Sequence, residues 1–322
     1  MASNNFKEVA LKTRTDFVFL FEARNSNPNG DPDANNMPRV DPQTLQGYTT
    51  DVSIKRKVRD WVDRSLQGHA GYEIYVKHLG ILANEQKRAF EAVNAKPSQT
   101  ANEEARNWMC QNFFDVRTFG AVMTTGKAED NKQWNCGQVR GPVQFAFATS
   151  VDPVYTASIA SFRVALTNFS DTKRGREVGE SDEATSGTFA RLGIVPYGLY
   201  RMEGYISPSL AASTGFNERD RQILWQALWH MFDEARSHTQ AGLGAIDLLV
   251  FEHSHPLGNA DARSLFKRVT INLDPGVREP RDISHYTVNV DEAGLQQIGV
   301  RLQRPARLDA EQLSALLDPK GA

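Results

Sequence analysis

The sequence has only two cysteines in 322 residues, Cys110 and Cys136, far apart and outside any metal-ligand spacing. That excludes a disulfide framework and points to a reducing compartment. It also lacks an excess of either charge. Its 37 Lys and Arg stand against 39 Asp and Glu, a formal net of −2. Whole-protein electrostatics therefore gives no pull on a polyanion, and any nucleic acid must meet a local basic groove. No apolar run is long enough to span a membrane. The first residues, MASNNFKEVALKTRTDFVF, have no apolar core flanked by a cleavage site, so a cytoplasmic protein is expected. Catalytic signatures are missing too: there is no G-x-S-x-G, P-loop or H-E-x-x-H. No repeat of fixed period occurs.

What is present suits one elaborated domain or two modest ones, with ample apolar residues for a core. The chain is organised around Asp16 to Leu66. DFVFLFEAR reads as a strand, with Phe17, Phe19 and Phe21 on one face by period-two alternation. A polar loop dense in Asn, Pro, Gly and Asp follows. DVSIKRKVRDWVDRSL is then a basic helix capped near Thr49, Thr50 and Asp51. Ile54, Val58, Trp61, Val62 and Leu66 share its apolar face. Arg56 can pair with Asp60 and Arg59 with Asp63 at i,i+4. Lys55 and Arg59 line one edge of the apolar stripe, Lys57 and Arg64 the other. Lys55 has no acidic partner three or four residues ahead, whereas Asp60 lies three residues after Lys57. The helix edge is either a solvated face with local ion pairs or a phosphate-binding edge.

Further on, GYEIYVKHLGIL reads as a short strand and turn, and residues 84 to 114 as an insertion of helices. In DVRTFGAVM, Gly120 permits close backbone approach and Phe119 reads as a core residue. VQFAFATSV places Val143, Phe145 and Phe147 on one strand face, and IASFRVALTNF is the next strand. SDTKRGREVGESDEATSGTFARLG is polar and charged at both signs, as in a projecting hairpin or surface loop. IVPYGLYRMEGYIS is a strand. FNERDRQILWQALWHMFDEAR is a helix capped by Asn217 with Asp220 in its first turn. AIDLLVFEHSHP is a buried strand with His253 and His255 on one face, and more strand pairing and a short helix, DAEQLSALL, close the chain. Asp31-Pro-Asp33-Ala-Asn35 begins like a calcium loop but has Asn36 and Pro42 where Gly and Glu are needed. With insertions set aside the order is βαββαβ, the ferredoxin-like or RNA-recognition topology.

NPNGDPDANNMPRVDPQT followed by TDVSIKRKVRDWV resembles the backbone subunit of the type I-C CRISPR surveillance complex, the Cas-seven family. FFDVRTFGAVM, GQVRGPVQF and IVPYGLYRMEGYIS extend the resemblance in the expected order, and it implies an RNA-facing loop at DVRTFGAVM. It implies an α+β fold: a modified ferredoxin-like (RNA-recognition-motif) palm over 1–322, a helical insertion at approximately 79–114 and a protruding thumb hairpin at approximately 167–196. It also implies a subunit that polymerises along CRISPR guide RNA with other copies of itself and other type I-C Cascade subunits. The target DNA strand is met through the guide. No membrane, cofactor, metal or catalytic residue is implied.

The implied RNA-binding set begins with Arg24, Asn25, Asn29 and Gly30, and continues through Thr50, Lys55, Arg56 and Arg59. Arg117, Thr118, Phe119, Gly120, Gln138, Arg140, Gly141 and Gln144 follow. Lys173, Arg174 and Arg191 come from the thumb, with Arg176 a further candidate and Phe189 a candidate wedge between bases. Phosphate contacts position a strand without reading it, as arbitrary guides require. Two other readings stand beside this one. Backbone subunits of type III effector complexes, which resemble the family, cut target RNA with an aspartate in the loop after the first strand. Asp31 and Asp33 occupy the comparable loop here, so a metal-dependent endoribonuclease is the alternative. A ferredoxin-like interaction module without RNA is the third.

Overall fold

The structure is a computed structural model, and it describes residues 10–96, 99–124, 126–127, 133–163, 188–235, 237 and 239–317. β1 (Thr15–Ser26) comes first, and β2 (Gly30–Asp31) and β3 (Met37–Pro38) pair within the polar loop. β4 (Gln46–Thr49) leads directly into α1 (Asp51–Ser65). α2 (Leu82–Ala92), α3 (Gln99–Asn112) and α4 (Phe114–Phe119) follow, then a ladder of β5 (Gly120–Met123) with β6 (Gly137–Arg140). β7 (Val143–Phe145), β8 (Ala148–Pro153), β9 (Ala157–Arg163) and β10 (Thr188–Ile206) complete the middle of the chain. α5 (Pro208–Thr214), α6 (Glu218–Glu234) and β11 (Leu243–His253) come next. The last part holds α7 (Ala262–Phe266), β12 (Val269–Leu273), β13 (Tyr286–Val290), α8 (Glu292–Gln297), β14 (Val300–Gln303) and α9 (Ala310–Leu317).

The fold is α+β around a central antiparallel sheet. Its strand order is β14-β11-β1-β10-β8-β4, with β7 and β9 also pairing to β10. β1 is the hub, antiparallel to β10 on one side and β11 on the other. Phe17, Phe19 and Phe21 all turn to the α1/α6 side, as alternation requires. There Phe17 meets Trp225 edge-on at 5.0 Å, Phe19 stacks on Phe232 at 6.4 Å, and Phe21 stacks on Tyr200 at 5.1 Å. Each buried Phe contributes about 1.5–3 kcal/mol. The other face is covered as well: Val18 and Leu20 pack with Leu249, Phe251, Leu265 and Phe266. Burial on both faces explains why β1 reads as a nearly continuous apolar run.

The helix boundaries follow local chemistry. Thr50 caps α1 by accepting from Ser53 N. Asn217 and Asp220 form a reciprocal capping box at the start of α6. α2, α3, β5 and β6 share a separate core of Tyr75, Phe90, Met109, Phe113, Met123 and Val139. That core holds both free cysteines, buried. Burial pushes the Cys110 thiol up to about 11 and the Cys136 thiol up to about 12.

Three local expectations are corrected. Residues 72–82 form no strand; an isolated bridge joins Glu73 to Phe113. DVRTFGAVM is not a loop but α4 running into β5. Val143, Phe145 and Phe147 do not lie on one buried strand, because the ladder breaks after Phe145 and Phe147 is 53% exposed. Among the described residues no helix is long and apolar enough to cross a membrane.

Candidate nucleic-acid interface

Two glycines bring the site together. α4 ends at Gly120 with φ 82°. A Cβ on Gly120 would lie 2.5 Å from Gly141 N and from Val139 O, and one on Gly141 only 2.2 Å from the Phe119 carbonyl carbon. Only glycine allows this approach. It presses the β6–β7 turn against the end of α4 and leaves an open cleft of about 400 Å³ lined by Phe119, Gln138, Val139, Arg140, Gly141 and Gln144. Five of these six are sequence-predicted site residues; Val139 is the addition. Gln138, Arg140 and Gln144 are exposed. The Gln144 amide donates to Gly141 O at 3.1 Å. Arg140 has no ion pair or side-chain hydrogen bond among the described residues. Its charge is therefore available to an anion from solvent.

The cations of α1 are in a different state. Lys55 is paired with Asp51 one turn behind it at 2.9 Å, a partner that a search of the residues ahead of it misses. Arg59 donates to Asp115 at 2.8 Å instead of reaching Asp63. Asp115 also accepts from the backbone N–H groups of Tyr75 and Val76, so Arg59 completes a buried carboxylate's set of donors. Lys55 Nζ and the Arg59 guanidinium stand 5.6 and 5.3 Å from the Phe119 ring centroid. Their side chains are only 13% and 12% exposed. Arg56 is exposed and loosely paired with Asp60 at 3.8 Å, as expected. Lys57 is no edge residue: it is buried and donates to Gln240 at 3.1 Å. Burial pushes its ammonium down to about 8.

Arg117 is corrected outright. It is fully buried, with Nε and Nη2 donating to the two oxygens of Asp220 at 2.9 and 2.8 Å. Its third partner is Gly71 O. The guanidinium lies 4.9 Å from the Tyr72 ring centroid and 5.4 Å from that of Phe114. It locks α4 to the start of α6 and is not a phosphate ligand. Thr118 is buried too, and Phe119 is mostly core, edge-on to Phe145 at 5.5 Å.

Residues of the first loop are tied to each other rather than to the cleft. Asn29 Oδ1 accepts from Thr50 N at 2.9 Å and Thr50 Oγ1 at 3.0 Å, which joins the loop to the start of α1. Gly30 pairs with Pro38 across the β2–β3 ladder. Asn25 is exposed in the left-handed region at φ 45°. Arg24 pairs with Glu22 and Asp282. Asp31 accepts from Asp33 N at 3.2 Å and pairs with Arg39 at 3.3 Å, while Asp33 is exposed.

Lys173, Arg174 and Arg176 lie outside the described residues, as does much of the expected thumb. Arg191 is exposed on β10, opposite Ala160 of β9. Phe189 is on the same ladder opposite Phe162. His253 is buried, with Nδ1 accepting from Asn259 N, which leaves Nε2–H to donate to Asp16 at 2.9 Å. β11 ends at His253, and His255 lies beyond it. Among the described residues no group of three or more His, Cys, Asp or Glu could hold a metal.

A family model described as CRISPR-associated protein Cas7 matches residues 13–291. The chain belongs to the Cas7 family. A CRISPR-associated protein Cas7 of Haloferax volcanii is 25% identical over 292 residues, covering 87% of this chain and 81% of that protein. Among solved structures, a chain of a CRISPR RNA-guided surveillance complex, pre-nicking, aligns with TM-score 0.48 and 12% identity, over 74% of this chain and 78% of its own. A chain of another CRISPR RNA-guided surveillance complex aligns with TM-score 0.41 and 15% identity, over 77% and 73%.

In this member of the Cas7 family the cleft combines an exposed guanidinium, exposed amides and closely packed glycine backbone. Groups of these kinds can meet an anion from solvent. Sequence reasoning missed Asp115 and Asp220, the carboxylates that claim Arg59 and Arg117. The second was visible as a helix-capping residue but not as an arginine partner.

Proposed function

We propose that the chain is a guide-RNA-binding backbone subunit of a type I-C CRISPR surveillance complex. It is cytoplasmic and non-catalytic, and it polymerises along the guide spacer beside other Cascade subunits. The observation that carries the RNA reading is Arg140, without a partner among the described residues, at the rim of the Phe119–Gln144 cleft in a chain of this family. The strand order β11-β1-β10-β8, with α1 and α6 packed against one face, supports a ferredoxin-like palm. The β9–β10 ladder, from Ala157 opposite Ile194 to Arg163 opposite Thr188, supports a thumb rooted in the sheet. Contacts from Arg140 and the cleft backbone would hold any guide equally, and base pairing would read the target DNA strand.

Asp31 is occupied in closing its own loop, which favours the non-catalytic reading over the ribonuclease one. The test is size measurement with and without guide RNA. RNA should convert a monomeric or heterogeneous protein into head-to-tail filaments, as heterologous contacts do. A closed dimer indifferent to RNA would overturn the assignment. So would magnesium-dependent RNA cleavage abolished by Asp31→Ala with Asp33→Ala.

A further inference from the structure

We propose that the aromatic pair of exposed Phe147 and half-buried Tyr48 is a stacking platform for an unpaired base of the strand held in the cleft. This rests on the RNA reading above and adds a second kind of contact to it. The two rings are parallel within 5°, with centroids 6.2 Å apart. Phe147 keeps 53% of its surface in solvent although Phe145, two positions before it, and Ala148, directly after it, are buried. The break between β7 and β8 turns this ring outward, and burial that would stabilise the fold is forgone.

The sheet register places the pair beside the cleft. Tyr48 is opposite Thr149, which is opposite Arg201, while Thr49 and Ala148 face the buried α1/α6 side. Cross-strand neighbours share a face, so Tyr48 is on the face away from those helices. Gln144 is opposite Tyr205 and lies on that same outer face, since its neighbour Phe145 is in the helix-side core. Gln144 also lines the cleft. Phe147 follows it by three positions in the chain, a span of at most about 10 Å.

The row from Arg140 through Gln144 and Phe147 to Thr149 and Tyr48 carries no acidic side chain. Glu203 on the adjoining strand is paired with Arg201 at 3.2 Å. A flat aromatic surface without negative charge, continuous with an exposed arginine, suits a base whose phosphate is held next door. Every base has a π-face, so such a contact tolerates any guide sequence.

The experiment uses the full chain and two probes: an oligouridine RNA and an abasic ribose-phosphate strand of equal length. Binding is followed by fluorescence anisotropy. Phe147→Leu should weaken oligouridine binding about 5- to 100-fold and leave binding to the abasic strand and the melting temperature unchanged. Phe147→Tyr should bind like the unmodified protein. Equal weakening on both strands would assign the pair to a protein contact or to the fold and overturn the platform. If Phe147→Leu binds oligouridine as tightly as the unmodified protein, the platform fails while the RNA reading stands. If the unmodified protein binds neither strand, both fail.

Discussion

Arg117 and Arg140 are the same residue type, 23 positions apart in a stretch that meets at Gly120 and Gly141, yet their surroundings are opposite. Arg117 is sealed between Tyr72 and Phe114 with a bidentate carboxylate. Arg140 stands in solvent at the cleft rim. A partner, more than a position near a motif, decides what a cation does. A buried arginine with a matched carboxylate is a brace. An exposed one without a partner among the described residues is open to an anion from solvent. Lys55 and Arg59 fall between the two: they are paired and largely covered, and they stand close to the ring that forms the cleft wall.

The sharpest way to break the comparison is to remove the brace. Arg117→Leu leaves Asp220 buried and uncompensated, and should cost about 3–5 kcal/mol of folding stability. The readout is the denaturation midpoint at constant m-value. A midpoint within experimental error of the unmodified protein would show that the pair contributes nothing.

How much of this was readable beforehand depended on sequence distance. β1 was legible from its alternating Phe residues. α1 was legible from Thr50 and its apolar spacing, and α6 from Asn217 and Asp220. All of these signals act within about four residues. Arg117 was not legible as a brace because Asp220 is 103 positions away, and Lys57 was not legible as buried because Gln240 is 183 away. The cleft was partly legible, since Phe119, Gln138, Arg140, Gly141 and Gln144 were all named. The short spacing of Gly120 and Gly141 from these residues did not reveal that the two glycines touch. Phe147 was misplaced because alternation continues in the sequence across a break in the strand.

Lys57 offers a smaller effect with a definite sign. Its pKa in the folded protein is pushed by burial from 10.5 down to about 8. Between those values the unfolded chain binds more protons, so stability should rise with pH across that window. Below about 8 the buried ammonium carries its full desolvation cost. Lys57→Met should therefore raise stability at pH 7 by about 1–3 kcal/mol, and the rise between about pH 8 and 10.5 should flatten. Stability curves at about pH 7 and about pH 10 check this. Parallel pH profiles for the two proteins would refute it.

At the other end of the comparison, Arg140→Ala should leave stability within about 0.5 kcal/mol, as for an exposed residue without partners. Its signature belongs in binding. The most direct test is the salt dependence of guide-RNA affinity for the unmodified protein and for Arg140→Ala. The variant's log–log slope should be shallower by about 0.7 for each phosphate per subunit that the arginine no longer neutralises, alike for guides of unrelated sequence. An unchanged slope with unchanged affinity would contradict the anion-site assignment, because Arg140 would then hold no phosphate.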